Sequence, residues 1–454
     1  MIKILLGLAG LGIVVFFHEL GHFLAAKLMG IHVEAFSVGW GRRILSVHRG
    51  GTEYRLSLLP LGGYCKLKGD EAMKTAWETG AERVAPEEGS FYGASPWRRI
   101  VVAFSGPAAN FLFAAASFSL VWLIGFSYQT FDNRVVLESD FPGRPAETSY
   151  PAAEAGLATG DYITSMDGNP VETYRDIQEA VAGKPGKPIH VTYRRGDSTG
   201  TLTLVPALNR ESGVGRIGVY AWIEPVVGAV KKDSAAFIGG IKPGDRILRV
   251  DGREIPHTLY LLSAVREAGS SPLRMTLERG GETVETRIIP HVDEAGRPDI
   301  GVSFQPRVFS SRKVGPLEAL RLGGAETLET LGMTTKSLGL LFRGVNLSQA
   351  VSGPIRITYM VGEVAAQGFS RNFSTGLTSI LNFLGLLGVA LFFMNLLPIP
   401  ALDGGLLLIF LFEGLRGKPL NPRFIHRYQY VGVFFIVLLV VLSTMSDVFF
   451  FLRN

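Results

Sequence analysis

The sequence predicts a polytopic α-helical membrane protein. It has four transmembrane helices, a β-rich stretch after the first, and two tandem α+β domains between the second and third. Three observations lead there. Four segments, roughly Ile2–Ala26, Ile100–Tyr128, Leu377–Leu397 and Tyr430–Phe451, are long and apolar enough to span a bilayer. The pattern His18-Glu19-Leu20-Gly21-His22 lies inside the first of them. The stretch between the second and third contains one sequence unit twice, at a constant offset.

Composition agrees. A chain of 454 residues exceeds a single core. Mean hydropathy is +0.25 with 19% charged residues, which is apolar for a soluble enzyme. A lone cysteine, Cys65, excludes an intrachain disulfide framework. The net charge of +5 does not indicate a nucleic-acid partner, because the basic residues cluster beside the apolar segments rather than in one patch.

In the first span, Lys3 is the only charge in Ile2–Phe17, and the apolar run continues through His18 and His22 to Ala26. It has no small-residue cleavage site, so it reads as a span and not as a signal peptide. With 8 histidines in the chain, H-E-x-x-H arises by chance in about one such sequence in a hundred. Residues i and i+4 share a helix face, so both imidazoles can hold one metal ion, and Glu19 beside them can take a proton from water. Ionisable groups at membrane depth are expensive and mark function. A catalytic zinc uses three protein ligands and an open position, so a third ligand at membrane depth is needed.

Basic residues set the orientation. Lys27, Arg42, Arg43, Arg49, Arg55, Lys66, Lys68, Lys74, Arg83, Arg98 and Arg99 lie between spans one and two, and Arg416, Lys418, Arg423 and Arg427 between three and four. Both loops are expected on the cytoplasmic side, with residues 129 to 376 and both termini opposite. Within the first loop, Phe36–Gly41 and Thr52–Leu59 read as strands, followed by a turn and strand through Pro60–Leu67.

In the exported stretch, Ala155-Gly156-Leu157-Ala158-Thr159-Gly160-Asp161-Tyr162-Ile163 with Asp167-Gly168 is answered by Gly239-Gly240-Ile241-Lys242-Pro243-Gly244-Asp245-Arg246-Ile247 with Asp251-Gly252. The offset is 84 throughout (240 − 156, 252 − 168), a period suited to two small globular domains. Each copy resembles a PDZ domain, which implies a groove for an extended segment read by strand addition. From Lys313 to Ser374 the pattern is helical and amphipathic, broken at Gly353-Pro354.

The third apolar segment carries Asn395-Leu396-Leu397-Pro398-Ile399-Pro400-Ala401-Leu402-Asp403-Gly404-Gly405. Two prolines break the helix, and broken backbone at membrane depth is tolerated where it is buried or lines a cavity. Asp403 is an acid among apolar residues, and a metal would compensate its charge. It is the candidate third ligand.

The N-x-x-P-x-P-x-L-D-G element, paired with H-E-x-x-H in the first span, resembles the site-2 protease family of intramembrane zinc metalloproteases. Four spans with two PDZ-like domains between the second and third resemble its bacterial regulator-of-sigma-E protease branch. The resemblance implies Zn2+ held by His18, His22 and Asp403, with Glu19 as catalytic base. It implies substrate contacts at Asn395, Pro398 and Pro400, and at Asn110 within Gly106-Pro107-Ala108-Ala109-Asn110, where a helix-helix hydrogen bond is an equal alternative. It further implies a membrane-re-entrant β-sheet after span one, whose edge can pair with unwound substrate.

The expected partners are the lipid bilayer, single-span membrane proteins such as a pre-cleaved anti-sigma factor, and remnant signal peptides. The expected place is the bacterial inner membrane, with the PDZ pair in the periplasm acting as a substrate size filter and the site toward the cytoplasm. The organisation is helix 1 (1–30), β region (31–96), helix 2 (97–128), PDZ-like domains (129–220 and 221–308), amphipathic region (309–376), helix 3 (377–412), loop (413–428) and helix 4 (429–454). Two rivals are a membrane-anchored PDZ scaffold with a structural metal, which needs a fourth ligand that the sequence does not offer beside Asp403, and a metal transporter, which predicts more polar positions in spans two and four.

Overall fold

The computed structural model describes residues 2–85, 87–141, 149–209, 213–292, 296–305, 307–311, 313–341 and 353–453. The chain forms two compact units, one from residues 1–126 with 311–454 and one from Ser127–Ser310.

The first unit begins with α1 (Ile2–Leu28). It leads into β1 (Val33–Arg49) and β2 (Thr52–Leu67). This long hairpin folds back on itself, since Phe36 pairs with both Cys65 and Tyr54, and Val38 with both Gly63 and Leu56. The result is four short runs in the order 43–49, 52–57, 33–38 and 63–67, with the two outer pairings antiparallel and the central pairing of 52–57 with 33–38 parallel. The 63–67 run is an edge on the α1 side. Trp40, Ile44, Leu45, Val47, Leu56 and Leu58 are exposed. A short helix, α2 (Asp70–Thr79), follows within the stretch read as β from sequence. Glycines at both ends, Gly69 and Gly80, adopt positive φ and close it off. Next comes α3 (Pro96–Ile124), started by Pro96 and carrying Pro107 in its interior.

The second unit contains two halves built alike. One runs β3 (Ser127–Thr130), β4 (Val135–Leu137), α4 (Pro151–Glu154), β5 (Tyr162–Met166), β6 (Asn169–Pro170), α5 (Tyr174–Ala182), β7 (Ile189–Arg195), β8 (Ser198–Leu204), β9 (Ala207–Leu208), β10 (Gly215–Arg216) and β11 (Val219–Ala221). The other runs β12 (Val227–Val230), α6 (Ala235–Ile238), β13 (Arg246–Val250), β14 (Arg253–Glu254), α7 (Thr258–Ala268), β15 (Leu273–Arg279) and β16 (Glu282–Ile288), then short strands to Ser310. Their sheets have the same order, β6-β5-β7-β8 and β14-β13-β15-β16.

The cores correspond at the offset of 84. Ile163, Ile177, Ile189 and Leu204 fill one, and Ile247, Leu261, Leu273 and Ile288 the other. Both repeat aspartates are buried and ion-paired, Asp161 with Arg195 at 2.8 Å and Asp245 with Arg279 at 2.6 Å. Asp167 and Asp251 both take positive φ, at 48° and 49°, as the Asp-Gly turns require.

The chain returns to the first unit through α8 (Pro316–Leu341) and α9 (Pro354–Arg371). Residues 342–352 of the expected amphipathic region lie outside the described residues. Then come α10 (Phe373–Asn395), α11 (Asp403–Arg416) and α12 (Pro422–Arg453). Among the described residues, four helices are long and apolar enough to cross a membrane, over Lys3–Leu28, Pro96–Ile124, Phe373–Asn395 and Pro422–Val448. The helix over the fourth segment begins at Pro422, ahead of the apolar run, because Pro422 at its start and the polar first turns extend it toward α11.

Two buried carboxylates tie the helices together. Glu413 on α11 pairs with Arg99 on α3 at 2.7 Å, and the guanidinium lies over the Phe410 ring. Asp447 on α12 accepts from the backbone N–H groups of Gly353 (2.9 Å) and Arg356 (3.0 Å), so one helix caps the N-terminus of another.

Candidate metal centre

The centre is built where α1, α3 and the break between α10 and α11 meet. The apolar sequence of α1 keeps it continuous, and the 3.6-residue period places His18 and His22 on one face. That face turns to α3. At Gly21 a Cβ would lie 2.2 Å from the Ser105 carbonyl oxygen, so only glycine permits this helix approach. At Gly106 a Cβ would lie 2.2 Å from His22 Nε2, so the second imidazole sits in the space a side chain would fill.

Asp403 arrives from the far end of the chain. The α10 helix stops at Asn395, and Ala401 takes φ = 71° in the loop carrying Pro398 and Pro400. Asp403 is the first residue of α11. The turn therefore aims the carboxylate at α1.

The three side chains converge. His18 Nε2 lies 3.2 Å from His22 Nε2 and 3.2 Å from Asp403 Oδ2, and His22 Nε2 lies 3.5 Å from Asp403 Oδ1. A tetrahedral ion with ligand bonds of about 2.0–2.1 Å has edges of about 3.3–3.4 Å. The observed spacings are close to those edges, with the carboxylate approaching His18 through Oδ2 and His22 through Oδ1, so the donor set present fits one such ion. The three are the one group of three or more potential ligands of this kind among the described residues.

Hydrogen bonds orient the rings. His22 Nδ1 donates to the Val102 carbonyl at 2.8 Å, which points Nε2 at the shared centre. His18 Nδ1 lies 3.1 Å from Asn110 Nδ2. Glu19 faces the sheet: its Cγ is 3.5 Å from where a Cβ on Gly63 would stand, and its carboxylate interacts with the Cys65 backbone. The general base candidate thus lies between the metal site and the 63–67 edge.

Of the residues singled out in the sequence, the structure gathers His18, Glu19, His22, Asp403 and Asn110. Asn110 is fully buried. Asn395 closes α10, half-buried, and Pro398 and Pro400 shape the loop before Asp403; none of the three makes a hydrogen bond to His18, His22 or Asp403. Sequence reasoning missed Gly106 and the Val102 carbonyl. No signal points to the second, because a backbone oxygen has no residue signature. Gly106-Pro107 within a span was the available sign of the first.

A peptidase model, described as Peptidase family M50, matches residues 6–439. The chain belongs to this family. It is therefore a metalloendopeptidase, with the family signature running from the first helix into the last. Among its relatives is a Treponema pallidum protein named "Putative zinc metalloprotease", 38% identical over 448 residues and covering 99% of each chain. The "Regulator of sigma-E protease RseP" of Salmonella typhimurium is 30% identical, covering 98% of this chain and 99% of that one. Its Escherichia coli namesake is 29% identical, covering 97% of each. A solved PDZ domain from Listeria monocytogenes is similar over 19% of this chain and 90% of its own, at 20% identity and a TM-score of 0.17.

Proposed function

We propose that the chain is an intramembrane zinc endopeptidase that performs regulated intramembrane proteolysis of single-span membrane proteins. The observation that carries this is the convergence of His18, His22 and Asp403 at tetrahedral-edge spacing, with Glu19 alongside. Relatives named as zinc metalloproteases and as regulator of sigma-E proteases support the metal and the substrate class.

Zinc bound there supplies a Lewis acid that acidifies a water and polarises the scissile carbonyl. The residues of the chain do the rest. His18, His22 and Asp403 would hold the ion. Glu19 takes the proton from the attacking water and hands it to the leaving amine nitrogen. A helical substrate must first unwind, which frees its backbone groups in apolar surroundings. The 63–67 edge beside Glu19 offers N–H and C=O partners for that extended segment. Asn395 and the prolines at 398 and 400, in the helix end and loop that lead to Asp403, contact the substrate.

The substrates are of the anti-sigma-factor type, already shortened by another protease, together with remnant signal peptides. The protein is multi-pass in the bacterial inner membrane, with the site toward the cytoplasm. The two halves of the second unit are tandem periplasmic PDZ domains that exclude bulky ectodomains. Glu19→Gln is expected to keep zinc and abolish cleavage of a transmembrane substrate, whereas Asp403→Ala loses zinc as well; cleavage by Glu19→Gln, or full zinc in Asp403→Ala, refutes the assignment. Deleting residues from 135 to 305 is expected to let uncut substrate through, and intact discrimination in that deletion refutes the filter.

A further inference from the structure

We propose that Asn110 is a positioning residue for His18, with its side-chain carbonyl oxygen accepting the Nδ1–H of that imidazole. This rests on the reading of His18 as a metal ligand. The motivating facts are geometric. Asn110 is 0% exposed on α3, and its amide lies 3.1 Å from His18 Nδ1. The other end of the amide, Oδ1, is buried without a hydrogen-bond partner. A buried, unpartnered amide oxygen is costly, and an amide costs little to turn over about its last torsion.

The chemistry of the neighbouring ring decides which way it turns. His18 Nε2 faces His22 and Asp403 at the common centre, so an ion there takes the Nε2 lone pair. A neutral imidazole then carries its proton on Nδ1 and needs an acceptor. An NH2 group cannot serve, and the same amide rotated by half a turn can. His22 already shows the same arrangement, with Nδ1 donating to the Val102 carbonyl. The two rings are thus held by one backbone and one side-chain oxygen, both from α3. That fixes the direction of both Nε2 lone pairs before the ion arrives. The role is distinct from contact with substrate, because Asn110 has no exposed surface.

The test uses the full-length protein in detergent and reads zinc affinity by competition with a chromophoric chelator. Asn110→Leu fills the same volume without an acceptor and is expected to weaken zinc by about 10–100-fold. Asn110→Asp keeps an oxygen at the same reach and is expected to bind within a few-fold of the wild type. Thermal unfolding of the chelated proteins checks that the helices still assemble; if the leucine variant does not accumulate, Asn110→Ser, too short to reach Nδ1, takes its place. Wild-type affinity in the leucine or serine variant overturns the inference, as does an aspartate variant as weak as leucine, which indicates packing alone. His18→Ala in the same assay separates the two readings. Unchanged zinc there removes His18 as a ligand, whereas lost zinc with indifferent Asn110 variants refutes only the role of Asn110.

Discussion

Replacing Gly106 by alanine tests how closely α3 is fitted to the metal site. The added methyl would stand 2.2 Å from His22 Nε2 and 2.5 Å from Cε1. Ordinary contact between such atoms is about 3.5 Å, so the ring must retreat by roughly 1.3 Å. A ligand bond tolerates about 0.2 Å. His22 therefore leaves the ion, or it keeps the ion by forcing α1 and α3 apart, and the bond to the Val102 carbonyl breaks in the first case. The ring is a side-chain end and can move aside, and alanine favours helix over glycine by about 1 kcal/mol, so the fold persists. A displacement of this size costs on the order of 100-fold in activity, with metal affinity falling alongside. The assay is chelator competition and cleavage of a transmembrane substrate, with unfolding of the metal-free protein as control. Wild-type zinc affinity and turnover in Gly106→Ala would show that the ring is not seated against α3.

Two further outcomes follow from groups away from the ion. His257, 1% exposed among Trp222, Tyr260 and Phe141, has neither ring nitrogen hydrogen-bonded, and burial, then the nearby Arg134 charge, pushes it down to about 4. The unfolded chain binds this proton near pH 6.5, so the stability of residues 127–310 is complete above that pH. It falls as pH drops toward 4, by up to about 1.4 kcal/mol per pH unit. Hydrogen exchange of the intact protein, corrected for intrinsic rates, should show this loss, and His257→Phe should remove it; an unchanged pH profile in the variant rejects the cause. Asp447→Ala uncaps α9 and should cost about 1 kcal/mol, read as a lower unfolding temperature with residues 353–356 losing exchange protection first; equal protection there would mean the cap carries no stability.

The spans, the repeat and the motif pair were legible because each leaves a periodic or compositional trace. The offset of 84 survives as paired core positions such as Ile163 and Ile247, and as the Asp161–Arg195 and Asp245–Arg279 bridges. Asp403 stood out because a lone acid among leucines needs a partner. What stayed hidden is what distance in sequence conceals. The doubled pairing of β1 with β2 depends on a fold-back that alternation alone does not encode. The α2 helix is short and weakly apolar, and its ends are set by Gly69 and Gly80 rather than by a run of core residues. Asp447 capping a helix that begins some ninety positions earlier has no local signature at all.

The break between α10 and α11 places the last ligand on the far side of most of the polypeptide from the first two. Until residue 403 has been synthesised and its turn has closed against the opening helix, only a pair of imidazoles is present, and two donors hold zinc poorly at cellular concentrations. On the proposed ligand set, a half-made or misinserted chain is chemically inert. The order of translation thus works as an interlock, arming a lipid-embedded cutter only once the helices that precede residue 403 exist.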